Sequence, residues 1–272
     1  MKENHFLNFF SKLIAFFKKD FQVYLSYQIN ILSNIVLVIF IFTIFFYISS
    51  SEYENEFASS KNLLGDVLIA ITLIDFMLVF VSVFSNEIRA AQVQGTFEAL
   101  ILTRTSILTI ILSAYGFSFI KSFFRLIMYI FIGLLFFEVE IDISKLPLFL
   151  IMTIFGSIPF IAIGVISASF VMIFKVGNIV NSFISLISIS LSGIFFPIEF
   201  FPETLELISN YNPMKHTVDA SRKILFDSQG IMQVKEEIIS IAFLTLLLLP
   251  MSILIVYHSL RFSRKNGNLN HY

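Results

Sequence analysis

The chain has 272 residues, of which 57% are hydrophobic and only 14% are charged, and its mean hydropathy is +0.88. One water-soluble core could not bury so much apolar surface at this length, and the composition also excludes a disordered chain or a coiled coil. The net charge of −1 excludes a global basic field for nucleic acid, and the absence of cysteine excludes disulfides and cysteine nucleophiles.

The first predicted element is an amphipathic arm over residues 1–28. Apolar side chains, mostly phenylalanine, recur there at helical spacing, and lysines fall on the opposite face. Such a helix is expected to lie flat in the cytosolic interface as a membrane anchor. The alternative is a gate that moves during transport. The apolar face consists of Phe6, Phe9, Phe10, Leu13, Ile14, Phe17 and Phe21.

Six apolar stretches are long enough to cross a bilayer, because a run of about 18 or more apolar residues with few charges is typical of a spanning helix. Lipid forces such runs into helix, since their backbone polar groups have no water to bond. The sequence therefore predicts an all-α integral membrane protein with six transmembrane helices. The predicted spans are 31–50, 67–86, 107–137, a segment within 146–174, 176–198 and 238–260.

The charges outside the spans predict the orientation. With both termini in the cytosol, the inner segments hold more Lys and Arg than Asp and Glu, and the outer segments hold the reverse. The positive-inside bias favours this topology. We expect one transmembrane domain over 1–272, with a cytosolic arm (1–28), a six-helix membrane domain (29–260) and a basic cytosolic tail (261–272).

The inner loop at 87–106 predicts a helix, a tight turn and a second helix below the membrane. Gly95 can end the first helix in a left-handed turn. Thr96 can cap the next helix, with Glu98 in its first turn. A mere hairpin between spans is the alternative.

Three charged residues fall within the predicted spans. Asp75 lies near mid-depth of the second span, and Lys121 and Arg125 share one face of the third because they are four residues apart. Intramembrane charge is costly and should face protein or water. One hypothesis is that Asp75 pairs with Lys121 or Arg125 and joins two helices. The other is that the basic pair faces a pathway and attracts an anionic group.

Prolines punctuate the outer segment at 197–237. Pro197 ends the fifth span, and Pro202 opens a short helix at about 203–209. Asn212 then caps a second helix, with Pro213 at its first position, that runs to about Phe226. Two capped helices directly after a span favour a re-entrant or surface-lying element over a plain extracellular loop.

Two sequence motifs resemble those of type-2 ABC exporter permeases. The first is Gln94-Gly95-Thr96-Phe97-Glu98-Ala99-Leu100, followed by Thr103-Arg104-Thr105-Ser106. The second is Ser192-Gly193-Ile194-Phe195-Phe196-Pro197-Ile198-Glu199 with Pro202, followed by Asn212-Pro213-Met214 and Val218-Asp219-Ala220-Ser221-Arg222. The motifs stand in the family's order and on opposite predicted membrane faces.

The resemblance implies half of an export pathway. A second permease would pair with this chain as a homodimer or heterodimer, and two copies of an ATPase subunit would bind below. It implies a cytosolic coupling helix between spans 2 and 3, and short outer re-entrant helices between spans 5 and 6. The implied ATPase-coupling residues are Glu87, Arg89, Gln92, Gln94, Gly95, Thr96 and Glu98. The implied outer re-entrant residues are Gly193, Pro197, Glu199, Pro202 and Pro213.

No nucleotide site is expected on this chain, because none of its ten glycines precedes a lysine. ATP and Mg²⁺ would bind the partner ATPase, and this chain would be no enzyme and hold no cofactor or metal. The expected cargo is a lipid-linked glycan, polysaccharide, drug or other amphipathic molecule, exported across the plasma membrane. The rivals are an ion-coupled secondary transporter or channel using Asp75, Lys121 and Arg125, and an integral-membrane enzyme, which the missing catalytic clusters disfavour.

Overall fold

Helices make up nearly all of the chain that the computed structural model describes, namely residues 22, 28–49, 63–95, 107–137, 139–174, 177–195 and 198–265. No strand occurs within those residues. The predicted amphipathic arm lies almost entirely outside them. In chain order the helices are α1 (Gln28–Ser49), α2 (Leu63–Val93), α3 (Ile107–Phe136), α4 (Leu146–Phe174), α5 (Gly177–Ser190), α6 (Glu203–Ser209), α7 (Pro213–Leu225) and α8 (Lys235–Lys265).

Four helical segments of the described residues are long and apolar enough to cross a membrane. They correspond to the predicted second, third, fourth and sixth spans, and they support the predicted class of an all-α membrane protein. The predicted count of six spans remains a prediction, because the other two regions contribute only shorter apolar stretches, Ile35–Ile44 and Ile179–Ser190. The four are Leu64–Val93, Thr109–Phe136, Ile143–Phe174 and Lys235–Ser263.

The predicted fifth span at 176–198 is too long. Helix α5 has 14 residues, which at 1.5 Å per residue is about 21 Å, whereas a hydrocarbon core is about 30 Å thick. The chain turns at Leu191–Gly193, and Gly193 takes a φ of +74°, which a helix does not allow. The side-chain Nδ2 of Asn212 also donates to the carbonyl of Ser188, which gives a partner to one of the carbonyls that the C-terminal end of α5 leaves free.

Helices α2 and α4 pack against each other and form the centre of the bundle. Helices α1 and α3 contact α2, while α8 contacts α4. Glycine allows the close approach of α2 and α4, because a Cβ on Gly164 would stand 2.1 Å from the carbonyl oxygen of Phe80. Aromatic side chains fill the interior around this contact, including the fully buried Phe76, Phe84 and Phe160.

Candidate functional site

The structure brings the three intramembrane charged residues together between α2 and α3. Nη2 of Arg125 lies 3.1 Å from Oδ2 of Asp75, and the two side chains are only 17% and 26% exposed. Tyr129, one turn further along α3, hydrogen bonds to the Asp75 side chain, and Lys121 is close enough to attract the same carboxylate. Arg125 also donates to Oγ of Ser122 over 3.4 Å. Of the two pairings that the sequence allowed for Asp75, the close ion pair is the one with Arg125.

The C-terminal end of α2 carries the implied coupling residues. The helix does not stop at residue 86 but continues through Glu87, Arg89 and Gln92 to Val93, so these residues extend a membrane helix rather than form a separate one. Gly95 has a φ of +68°, as the predicted left-handed turn requires, and its N–H donates to the carbonyl of Gln92. Thr96 and Glu98 lie outside the described residues.

The side chains at this end of α2 differ in exposure. Gln94 is exposed, Glu87 and Arg89 are half-buried, and Gln92 is buried with 5% of its surface accessible. Neither amide atom of Gln92 has a hydrogen-bond partner among the described residues. In this arrangement, therefore, Gln94 could meet a docking protein directly, whereas Gln92 could not without a change in packing.

Residues 193–226, called the outer element after the side on which the sequence predicts them, contain the two short helices that the prolines predict. Helix α6 begins directly after Pro202, and α7 begins at Pro213, where Oδ1 of Asn212 accepts from the N–H of Met214. Gly193 lies in the turn after α5, and Glu199 lies in the 3-10 turn Ile198–Phe200. Pro197 lies outside the described residues.

Helix α7 is embedded in the bundle, where it contacts α4, α8 and α2. Gly156 of α4 makes room for it, because a Cβ there would stand 2.2 Å from Oγ1 of Thr217. This burial is inconsistent with a plain solvated loop over these residues. The buried side chains of α7 are Pro213, Met214, Thr217, Val218, Ala220, Ser221, Ile224 and Leu225.

Two adjacent basic residues of α7, Arg222 and Lys223, form ion pairs with two different helices. Nε of Arg222 lies 2.8 Å from Oδ1 of Asp66 at the start of α2, and its Nη1 donates to the carbonyl of Gly193. Nζ of Lys223 lies 2.5 Å from Oε1 of Glu237 in the first turn of α8, and this contact raises the pKa of Lys223. Arg222 thus links the outer element to α2, and Lys223 links it to α8.

Sequence reasoning missed one polar cluster inside the bundle. Asn181 of α5 is 5% exposed, and its Oδ1 accepts from Oγ of Ser85 on α2 over 3.1 Å and from Oγ of Ser167 on α4. Polar side chains that bond across helices hold membrane bundles together. Asn181, a polar residue in an apolar stretch, could have marked this contact, but its partners are distant in sequence.

Asp219 gives the outer element a predicted pH dependence. Burial raises the pKa of Asp219, against the opposing attraction of Lys215, Arg222 and His216. A carboxyl group with a raised pKa in the folded state contributes stability that is lost as the pH rises through that pKa. We therefore expect Asp219→Asn to raise the unfolding temperature at pH 7, and this gain to shrink as the pH falls towards 4.

The measurement is the thermal unfolding midpoint of detergent-solubilised protein between pH 4 and 8. The control is Asp227→Asn, which removes the same charge from an exposed position of the same outer region. A gain of Asp219→Asn that stays constant across this range would show that the effect does not come from the charge of Asp219.

Comparison with known families gives one match. The model of a family described as ABC-2 type transporter matches residues 11–226, well over half of the chain. The match covers α1 to α7 and includes both the Gly95 turn and the outer element. No curated protein shows significant similarity to the chain.

Proposed function

We propose that this chain, which belongs to the ABC-2 type transporter family of membrane permeases, pairs with a second permease and is powered by two copies of a separate ATPase subunit. The ATPase would bind ATP and Mg²⁺, and this chain would perform no chemistry of its own. The proposed cargo is a lipid-linked glycan, polysaccharide, drug or other amphipathic molecule. The cargo would be exported across the plasma membrane. Both termini of the permease would lie in the cytosol.

The geometry of α2 is the observation that carries this proposal. The helix has 31 residues and is therefore about 46 Å long, which exceeds the roughly 30 Å of a hydrocarbon core. Asp66 near its start binds Arg222 of the outer element, and Gly95 follows its other end. One rigid helix thus separates an outer element from a turn on the opposite side, where an ATPase could act on it.

When a tagged permease is purified from the organism that naturally produces it, an ATPase subunit should co-purify with it. We expect Gly95→Val to reduce the recovered ATPase about tenfold, because a β-branched residue is strained by about 1–2 kcal/mol or more in the left-handed conformation. Among the described residues, nothing lies within 4 Å of a Cβ at Gly95, so the expected effect comes from the strained turn rather than from packing.

Gly116→Val is the matched control, since Gly116 is exposed on α3 and a Cβ there also meets no described atom within 4 Å. Equal recovery of ATPase from both variants would contradict a docking role for the Gly95 turn. A purification in which no ATPase appears with the wild-type chain would contradict the proposed function itself.

The charged group of Asp75, Arg125 and Lys121 favours one second candidate, an ion-coupled carrier or channel. Such a protein would move its substrate in proteoliposomes under a proton or sodium gradient with no ATPase present. An ATP-driven permease would not do so, and the same proteoliposomes distinguish the two functions.

A further inference from the structure

A groove of about 540 Å³ lies between the end of α4 and the last third of α8. Its apolar lining comes from Ile173 on α4 and from Leu254, Ile255 and Phe262 on α8. Two basic side chains, His258 and Arg261, line the same groove. This volume is within the range of sites that hold small molecules, which typically combine an apolar lining with a few polar groups.

The basic residues of the groove converge because of their spacing. His258 and Arg261 are three residues apart on α8, so their side chains are neighbours on one helix face. None of the ion pairs that the described residues form involves Arg261. Its guanidinium is planar and offers several N–H donors in a fork that matches the oxygens of a phosphate.

The position of the groove near the end of α8 predicts that it lies close to one membrane surface. Lys223 and Arg222 bind the first turns of α8 and α2, so both helices start at the outer element and run in the same direction. Arg261 is near the end of α8 and therefore lies on the same side of the bundle as the Gly95 turn. The contact of Ser259 Oγ with the carbonyl of Ser169 holds α8 against α4 at this level.

The groove opens to the surroundings of the bundle. Leu254 is 60% exposed and Phe262 is 49% exposed, and Arg261 is also exposed. In a bilayer, acyl chains surround such apolar side chains, and the headgroups lie at the level of a basic residue near a helix end. The groove thus matches the two parts of a phospholipid: its apolar lining suits an acyl chain, and the guanidinium of Arg261 beside it suits the phosphate.

We propose that this groove binds one anionic phospholipid from the leaflet on the Gly95 side, with the phosphate at Arg261 and His258 and an acyl chain along Leu254, Ile255 and Ile173. A net negative lipid fits better than a zwitterionic one, because a choline headgroup would bring its own cation next to Arg261. The inference concerns neither the cargo nor the ATPase, so its failure would leave the proposed function untouched.

The test measures lipid binding to the full-length permease in detergent by native mass spectrometry. Dioleoyl phosphatidylglycerol is the probe, and dioleoyl phosphatidylcholine has the same acyl chains without the net charge. We expect one phosphatidylglycerol to bind more tightly than the choline lipid. Arg261→Gln should weaken that binding about fivefold, since one Lys or Arg near anionic headgroups strengthens binding by about that factor.

Lys235→Gln is the matched control, because it removes the same charge from an exposed site at the other end of the same helix. It should leave the binding unchanged. Leu254→Trp should also weaken binding by occupying the groove, and Leu254 is exposed enough for the fold to tolerate it. Inorganic phosphate alone should not displace the lipid, because it lacks the acyl chain.

Equal binding of the two lipids, or equal weakening by Arg261→Gln and Lys235→Gln, would overturn the proposal. A protein that covers the groove would overturn it as well. Because the chain has no cysteine, Leu254→Cys supplies a unique thiol to detect such a cover in native membranes. Formation of a disulfide between two copies there on addition of an oxidant such as copper phenanthroline would identify a second permease as the occupant, whereas labelling by a membrane-soluble maleimide is expected if lipid occupies it.

Discussion

Asp75→Ala is expected to destabilise the permease by about 3 kcal/mol, because removing one partner of an ion pair that is largely shielded from water leaves the other charge without compensation. Arg125 would remain between α2 and α3, only 17% exposed and at the depth where charge is most costly. In detergent, the unfolding temperature of the variant should fall below that of the wild type. The fraction of protein that elutes as one peak in size-exclusion chromatography should fall as well.

Exchanging the charges tests whether the pair joins the helices. Asp75→Arg combined with Arg125→Asp should recover most of the stability that Asp75→Arg alone loses. Asp75→Arg combined with Lys121→Asp is the mismatched control, and it should recover less because Arg125 forms the 3.1 Å contact. If the two double variants recover equally, or neither recovers, the Arg125 pairing does not hold α2 to α3.

Gly164→Ala is expected to have an effect of similar size, because it forces apart the two central helices. The new Cβ would stand 2.1 Å from the carbonyl oxygen of Phe80 and 2.5 Å from Oη of Tyr115. Backbone cannot rotate away as a flexible side chain can, so α2 and α4 must separate. Overpacking of this kind costs about 1–3 kcal/mol, and this site belongs at the upper end.

The control for this prediction is Gly116→Ala on α3, where a Cβ meets no atom within 4 Å in the part of the chain that the structure describes. It should keep or raise the unfolding temperature, since alanine favours helix over glycine by up to about 1 kcal/mol. Equal unfolding temperatures for Gly164→Ala and Gly116→Ala would mean that the close approach of α2 and α4 is not needed for stability. Gly164→Leu should then also be tolerated, which provides a second check.

Local signals in the sequence were enough to predict the turns and helix starts. Pro202 and the pair Asn212-Pro213 mark the first turns of α6 and α7, because proline lacks a donor that a first turn does not use. Gly95 takes the left-handed conformation expected of a glycine after a helix. These features depend on a few neighbouring residues, and the family match agrees with the motifs that contain them.

Contacts between distant residues could not be predicted in the same way. Asp66 and Arg222 are 156 residues apart, and nothing in the sequence marks either as the other's partner. Lys121 and Arg125 share a helix face, so spacing alone could not decide which of them binds Asp75. Hydropathy overestimates the length of α5, because the apolar stretch continues past Ser190. The helix ends there because of tertiary contacts and the positive φ of Gly193.

The two-sided attachment of α7 has a consequence for biosynthesis. A ribosome makes Asp66 long before Arg222, so the link to α2 can form as soon as α7 emerges. The ion pair of Lys223 can form only after Glu237 has been made, and the face of α7 that contacts α8 is covered only after that last helix has inserted. The outer element therefore reaches its final place only when the sixth predicted span inserts beside it, and a nascent chain halted before that point would leave the face of α7 that contacts α8 uncovered.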